Sequence, residues 1–147
     1  KKEYEELMFQ IMNLRKFNYK EFLSKLFFDE KDLISLDNLG HNIGLHSHSH
    51  PTLIEKLSFN DQKNEYLQNL NFIKKILNKP SSYINACSHP LGSYNADTLQ
   101  ILNELKIQLA FKDNMSVEKE RGMKIINNSS LEIARQDHSE IIKKMKN

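Results

Sequence analysis

The sequence is poor in the features that mark disulfide-bonded, membrane-spanning or nucleic-acid-binding proteins. It has one cysteine, Cys87, which excludes an internal disulfide framework and a cysteine-rich zinc site. No apolar run approaches the ~18 residues that a helix needs to span a bilayer, so we expect no membrane span in this chain. A net charge of +2 is too small to argue for a nucleic acid partner or a membrane surface, and we expect neither.

The composition is that of an ordinary globular domain. The 147 residues are 39% hydrophobic and 27% charged, which suits about one domain. No signal peptide is evident in this chain, and because it begins with Lys1 and not with a methionine, we expect it to be an internal piece of a longer protein, which leaves a lost leader open. Its compartment, cell envelope or cytoplasm, stays open.

Half of the histidines lie within five residues, at positions 46, 48 and 50. Ile43 and Leu45 alternate before them as in a strand, and Pro51 cannot donate to a sheet, so the strand should end by then. The histidines therefore follow a strand, where α/β proteins place ligands. Neutral imidazole is a common metal ligand, which predicts a metal site; the alternative is a polar loop with incidental histidines.

The rest of the chain alternates between predicted helices and strands. Apolar spacing predicts helices over 3–16, 19–27, 60–77, 96–105 and 139–146, with a charged break at 28–32 and a polar loop running through Gly122. A further short helix is predicted to have Ser35 as its N-cap and to end at Gly40, and Ser58 and Asn95 are the predicted caps of the helices over 60–77 and 96–105. Strands are predicted at 43–45, 83–88, 107–111 and 131–135. This alternation predicts parallel strands with right-handed crossover helices, in an open α/β sheet or part of a barrel. Residues 46–50, 88–92 and 135–138 would then share the carboxyl edge of the sheet.

Two motifs resemble those of a known family. Residues 40–53, GHNIGLHSHSHPTL, resemble the second motif of the polysaccharide deacetylase family (carbohydrate esterase family four), G-H-E-I-G-x-H-[ST]-x-x-H. Residues 90–95, PLGSYN, resemble the third motif, P-Y-G-x-Y-N. The resemblance covers roughly residues 33–138 and implies part of a distorted (β/α) barrel. It divides the chain into a helical N-terminal segment, 1–34, and a deacetylase-like domain, 35–147, that is incomplete at its N-terminal side.

The resemblance assigns roles within the histidine stretch. His46 and His50 match the two histidines that bind the divalent metal, which is typically Zn²⁺. His48 falls at a variable position, and His41 matches a structural histidine. Asn42 replaces the glutamate of the family motif, a departure that leaves both ligand positions intact.

Three further residues are implied as catalytic. The backbone N–H of Leu91 falls where the family polarises the substrate carbonyl, a role that does not depend on the side chain. Arg135, in a strand that resembles the late L-P-R-x-D segment, would supply a cation. His138 is the candidate for the acid that protonates the leaving amine; the alternative for this position is an ordinary helix start. His89, beside the Pro90 turn, could face the substrate or be a surface loop histidine.

One family motif has no counterpart. The T-F-D-D-G motif supplies the aspartate base and an aspartate metal ligand, and residues 28–30, FDE, are too close to His46 to replace it. We therefore expect either a piece that lacks the first strand or a domain that has lost its base.

The resemblance implies a metal-dependent N-deacetylase of an N-acetylated sugar. A non-catalytic metal- or glycan-binding module and a scaffold with incidental histidines are the alternatives.

Overall fold

The computed structural model describes residues 2–18, 22, 26–113, 129–136 and 138–145. Its helices are α1 (Lys2–Leu14), α2 (Glu30–Asn38), α3 (Phe59–Leu77), α4 (Ala96–Glu104) and α5 (His138–Met145), and its strands are β1 (Ala86–Ser88) and β2 (Leu109–Phe111). Three 3₁₀ turns lie at Ile54–Lys56, Ser81–Tyr83 and Pro90–Gly92. Within these ranges no helix combines the length and the apolarity needed to cross a membrane.

The sheet is parallel, as the alternation of helices and strands predicts. β1 pairs with β2 in the register that sets Cys87 opposite Ala110. Single parallel bridges extend the pairing on both sides, from Leu45 to Cys87 and from Phe111 to Ile133. Four parallel segments therefore lie side by side in chain order, which confirms the parallel sheet. Helices α3 and α4 join the first three segments, and the connection from β2 to Ile133 lies largely outside the described residues.

The two outer segments pair through one residue each, so the regular strands are shorter than predicted. Residues 81–83 form a 3₁₀ turn closed by the Tyr83 N–H bonding to the Pro80 carbonyl at 3.0 Å, and this turn delays the start of β1. The predicted helix over 19–27 and the loop through Gly122 fall largely outside the described residues. The division at residue 34 stays a prediction.

The core lies between one face of the sheet and helices α3 and α4. Its sheet residues include Leu45, Cys87 and Ala110, all at most 2% exposed, so Cys87 is the small buried residue that its position suggests. The helices contribute an apolar stripe, Tyr66, Leu70, Ile73, Leu77, Ile101 and Leu102. Burying one such aliphatic side chain stabilises a fold by about 1.5–3 kcal/mol, so this layer fixes where the strand ends lie.

The caps of the two core helices match the sequence prediction. Ser58 accepts a hydrogen bond from the Asp61 N–H at the start of α3, and Asn95 does the same for the Thr98 N–H at the start of α4. α3 ends shortly before Pro80, because Asn78 adopts φ +52° and closes the helix onto the Lys74 carbonyl.

Helix α2 starts earlier than predicted. Ser35 is not its N-cap, and the charged break at 28–32 is the helix start. The Asp29 side chain accepts from the N–H groups of Lys31 and Asp32, and the Asp32 side chain bonds back to the Asp29 N–H. An aspartate is as good a cap as serine and also complements the positive end of the helix dipole.

The predicted end of α2 at Gly40 is confirmed. Gly40 adopts φ +87°, and its N–H bonds to the Asp37 carbonyl at 3.0 Å. The next N–H, of His41, bonds to the Leu36 carbonyl at 3.0 Å. This pair of bonds is a Schellman motif, which turns the chain towards the sheet.

A buried polar network joins the starts of α3 and α4. The Thr98 hydroxyl donates to the Gln62 Oε1 at 2.6 Å, and the Gln62 Nε2 donates to the Leu57 carbonyl at 3.1 Å. The Asn95 Nδ2 donates to the Glu55 carbonyl at 3.0 Å. These bonds fasten the segment after the histidines to the segment after β1.

We predict that Thr98→Val lowers the free energy of unfolding by about 1–3 kcal/mol, because it leaves the buried Gln62 amide without one partner. Thr52→Val is the matched control, since Thr52 is exposed, and should change stability by less than about 0.5 kcal/mol. Urea unfolding followed by circular dichroism measures both. Equal losses in the two variants would show that the network contributes nothing specific.

Candidate functional site

His46 is the first residue beyond the edge segment of the sheet. The Leu45 N–H donates to the Ala86 carbonyl at 2.8 Å and the Ser88 N–H donates to the Leu45 carbonyl at 2.9 Å, so the chain leaves the sheet beside the end of β1. The His46 Nδ1 then lies 2.8 Å from the Ser88 carbonyl oxygen. A carbonyl only accepts, so Nδ1 carries the proton and the lone pair is on Nε2, on the far side of the ring.

The His50 ring lies beside the His46 ring. Their centroids are 5.0 Å apart and their planes are inclined at 56°. Two imidazoles that bind one tetrahedral zinc ion at about 2.0 Å have centroids about 5 Å apart, so this pair fits two of the ligand positions of a zinc site. The bond from His46 to the Ser88 carbonyl also suits a ligand, because metal-binding histidines usually donate their other ring N–H to a carbonyl or carboxylate.

The described residues do not complete a metal site by themselves. Within the described ranges, no group of three or more histidine, cysteine, aspartate or glutamate side chains is placed to hold an ion. Among the described residues, the imidazole pair would need at least one further ligand to hold a metal ion.

The loop between the two histidines has an unusual backbone. Ser47 and His50 adopt φ +65° and +53°, values that non-glycine residues rarely take. Ser47 is buried, at 7% exposure, and its hydroxyl has no hydrogen-bond partner among the residues that the structure describes. At this buried position the small side chain of Ser47 fits, and its hydroxyl adds no hydrogen bond within the described residues.

Two side chains of α3 hold this loop, and sequence reasoning missed both. The Asn69 Oδ1 accepts from the His46 N–H at 2.9 Å. Glu65, one helical turn earlier, accepts from the N–H groups of His48 and Ser49 at 3.0 and 2.7 Å. The only sequence signal is that polar residues 65 and 69 are four apart and adjoin the apolar stripe of α3.

The Glu65 carboxylate is ionised in this setting. Partial burial raises its pKa, but the hydrogen bonds from the backbone and hydroxyl of Ser49 and from the backbone of His48 outweigh burial, so the pKa of Glu65 is lowered overall. The carboxylate is thus kept as an acceptor for the loop.

The turn after β1 contains the residue whose backbone N–H is the candidate donor. Leu91 is the second residue of the 3₁₀ turn Pro90–Gly92, adopts φ +50° and is 57% exposed. The first N–H groups of a helical turn have no acceptor within it, so the Leu91 N–H can serve a ligand. Gly92 follows at φ +65°, and the Asp113 carboxylate occupies the space that a Cβ at position 92 would need.

His89 is neither a surface loop residue nor exposed to a ligand. It is 2% exposed, stacks on Tyr94 at 4.3 Å and donates from Nε2 to the Leu131 carbonyl at 2.8 Å. Burial lowers its pKa to about 4, so the ring is neutral at physiological pH. The predictions that His89 faces a substrate or lies on the surface are therefore wrong, because the ring packs against Tyr94 and bonds to the Leu131 carbonyl.

Arg135 and His138 are farther from the histidine pair. Arg135 is exposed and follows Ile133, whose segment is the third along the sheet from the segment of Leu45. At about 4.8 Å per step, this is about 14 Å along the sheet. His138 is exposed and is the first residue of α5.

The remaining motif positions are structural. His41 is exposed, and its backbone closes α2. The Asn42 Nδ2 donates to the Asn85 Oδ1 at 3.1 Å, which links the amino ends of two neighbouring segments of the sheet.

Comparisons with known proteins agree with this geometry. The sequence model of the polysaccharide deacetylase family matches residues 4–110. The structure is similar to the Streptococcus pyogenes deacetylase PplD in complex with acetate, with a TM-score of 0.57 and 27% identity. That match covers 65% of this chain and 41% of PplD, so the chain corresponds to less than half of that protein.

A weaker likeness is to a mutant of BA3943, described as a pseudoenzyme of the CE4 family with restored enzymatic activity. It has a TM-score of 0.49 and 16% identity, and covers 55% of this chain and 28% of that one. No curated protein sequence matches the chain significantly.

We predict that Gly92→Ala lowers the free energy of unfolding by about 2–4 kcal/mol, since it combines an unfavourable positive φ with displacement of the Asp113 carboxylate. Gly40→Ala is the matched control, because Gly40 also has positive φ but no atom within 4 Å of the place where its Cβ would lie, and should cost about 1–2 kcal/mol. Chemical denaturation measures the free energy of unfolding of both variants. The extra cost of Gly92→Ala over Gly40→Ala should become smaller when Asp113 is replaced by alanine. Equal costs at the two glycines would contradict the close contact.

We predict that burial of His89 makes the metal-free protein less stable in acid. The folded pKa of about 4 lies below the ordinary value of 6.5, so the unfolded chain binds a proton first as the pH falls. The contribution of the neutral His89 ring to the free energy of unfolding is complete above about pH 6.5. It is lost as the pH falls from 6.5 to 4, which lowers the free energy of unfolding by up to about 3 kcal/mol.

Urea unfolding at several pH values tests this prediction in the His89→Asn variant. His41→Asn is the control, because His41 is exposed. The His89 variant should lose most of the pH dependence in this window. An unchanged slope in that variant would show that another group is responsible.

Proposed function

Because the chain belongs to the polysaccharide deacetylase family, we propose that it is part of a metal-dependent hydrolase that removes N-acetyl groups from an N-acetylated sugar or polysaccharide. The observation that carries the proposal is the pairing of His46 and His50 at 5.0 Å, with His46 bonded to the Ser88 carbonyl three residues before Leu91. Metal ligands and an oxyanion donor at neighbouring strand ends are what amide hydrolysis requires.

In this proposal the two histidines hold a divalent metal ion, with zinc favoured by neutral imidazole donors. When bound, the ion would supply Lewis-acid activation of water for attack on the amide carbonyl. His46 would bind through Nε2, because the Ser88 carbonyl holds the proton on Nδ1 at 2.8 Å. The third ligand and the base would be aspartates outside the described residues.

The other proposed roles follow from chemistry at the same edge of the sheet. The Leu91 N–H would donate to the carbonyl oxygen as negative charge develops there. His138 would protonate the leaving amine, and Arg135 would provide a cation beyond the end of the Ile133 segment. Both have exposed side chains, so a substrate could reach them.

We further propose that the four parallel segments are later strands of a distorted (β/α) barrel. Support comes from their sequential order in the sheet and from the similarity to PplD, of which the match covers 41%. A barrel would place the site at the carboxyl ends of its strands.

A catalytically defective metal- or glycan-binding relative is the second candidate. It is favoured by the missing third ligand among the described residues. Such a protein would bind metal or sugar without releasing amine.

The first prediction of this proposal concerns metal affinity. His46→Ala should weaken zinc binding by more than about 100-fold, since loss of a residue that merely supports a ligand costs about 10–100-fold. His48→Ala is the matched control, because His48 is exposed and lies outside the pair, and should stay within about threefold of the wild type. Competition with a chromophoric chelator measures the affinity. Zinc binding that survives His46→Ala unchanged would refute the metal site.

The second prediction separates an enzyme from a binding relative. The zinc-loaded protein with its native upstream sequence should release free amines from N-acetylglucosamine oligomers, detected by fluorescamine. His50→Ala should remove this activity and His48→Ala should retain it. Amine release that is zero in the wild type, with zinc bound, would favour the defective relative.

A further inference from the structure

We infer that Glu65 and Asn69 of α3 are positioning residues that hold the histidine loop, residues 46–50, in the conformation that pairs the two imidazoles. The inference rests on the proposed function, since it explains how that metal site is preorganised. Neither residue belongs to the motifs that carry the family resemblance.

The contacts are numerous for so short a loop. Asn69 accepts one hydrogen bond, from the His46 N–H, and Glu65 accepts three, from the His48 N–H, the Ser49 N–H and the Ser49 hydroxyl. Their lengths are 2.7–3.0 Å. Residues 65 and 69 are about 6 Å apart along the helix axis, so they bond to both halves of the loop.

The loop needs such support because its backbone is intrinsically unfavourable. Non-glycine residues at positive φ, here Ser47 and His50, cost about 1–3 kcal/mol each. The side chains of His46, His48, Ser49 and His50 are exposed, so apolar burial contributes little to holding this backbone. Hydrogen bonds to a charged carboxylate, about 1.5–3 kcal/mol each, are strong enough to offset the strain.

The two acceptors lie on a rigid support. Tyr66 and Leu70, the next residue after each of them, are 0% and 4% exposed in the core. The positions of Glu65 and Asn69 are therefore fixed by packing, which is what precise placement of metal ligands requires.

Glu65 is not itself the missing ligand in this arrangement. Both of its oxygens accept hydrogen bonds from the loop, Oε2 from two N–H groups and Oε1 from the Ser49 hydroxyl. Its effect on the metal would therefore pass through the loop backbone. A glutamine can keep this geometry, because its carbonyl can accept both N–H groups while its amide donates to the serine oxygen.

The test compares Glu65→Ala, Glu65→Gln and Asn69→Ala with Gln68→Ala, an exposed position on the same helix. The first readout is the zinc affinity of the full-length protein, which includes the proposed third ligand, by chelator competition. Glu65→Ala and Asn69→Ala should weaken it about 10–100-fold, as loss of residues that orient metal ligands does, whereas Glu65→Gln and Gln68→Ala should stay within about threefold.

The second readout needs no metal: hydrogen exchange of the His48 and Ser49 amides. Exchange should accelerate at least about tenfold in Glu65→Ala and remain near the wild-type rate in Glu65→Gln and Gln68→Ala. Unchanged exchange in Glu65→Ala overturns the inference. A Glu65→Gln variant that loses zinc as Glu65→Ala does, with its amides still protected, also overturns it, because the charge would then be the cause.

The two proposals can fail separately. If the wild type binds no zinc, the proposed function fails, and the exchange data alone decide whether Glu65 holds the loop. If zinc binds and exchange does not respond, the positioning role fails and the metal site stands.

Discussion

The site depends on the parallel pairing of Leu45 with β1. Two hydrogen bonds, from the Leu45 N–H to Ala86 and from the Ser88 N–H to Leu45, fix where the first segment ends relative to the second. Because the pairing is parallel, the two segments leave the sheet side by side at their carboxyl ends. The His46 ring can then bond to the Ser88 carbonyl, and the Leu91 turn follows three residues later.

Around this pairing, polar contacts shape the edge of the sheet and apolar contacts hold its body. The core layer places α3, and α3 carries Glu65 and Asn69 to the histidine loop. The Thr98–Gln62 hydrogen bond ties α3 to α4, whose N-terminal segment follows the turn. His89 is packed neutral behind that turn against Tyr94. Three of the six described non-glycine residues with positive φ, Ser47, His50 and Leu91, follow the strand ends of the first two segments of the sheet.

The features that sequence reasoning predicted correctly are local ones. Ser58 and Asn95 cap helices through residues three positions away, and Gly40 ends α2 through its own φ, so neighbouring residues suffice to predict them. The prediction of Ser35 as the N-cap was wrong because Asp29, in the segment predicted to be a charged break, caps a helix that begins five residues earlier. The parallel order followed from the alternation of helices and strands.

What could not be predicted depends on distant contacts. The burial of His89 is set by Leu131, 42 residues away, and the hold on the histidine loop by residues 16 to 23 positions downstream. From the sequence, two polar residues four positions apart on a helix do not indicate which backbone N–H groups their side chains will accept from. The roles of Leu91, Arg135 and His138 remain predictions, because they concern chemistry with a substrate.

In the proposed function, His46 and His50 bind one metal ion together. X-ray absorption at the zinc edge of the zinc-loaded protein tests it most directly. We expect two imidazole nitrogens at about 2.0 Å from the zinc ion, and the loss of both imidazole signals in the His46→Ala, His50→Ala double variant. A zinc ion without imidazole ligands, or a spectrum unchanged in the double variant, would contradict the claim.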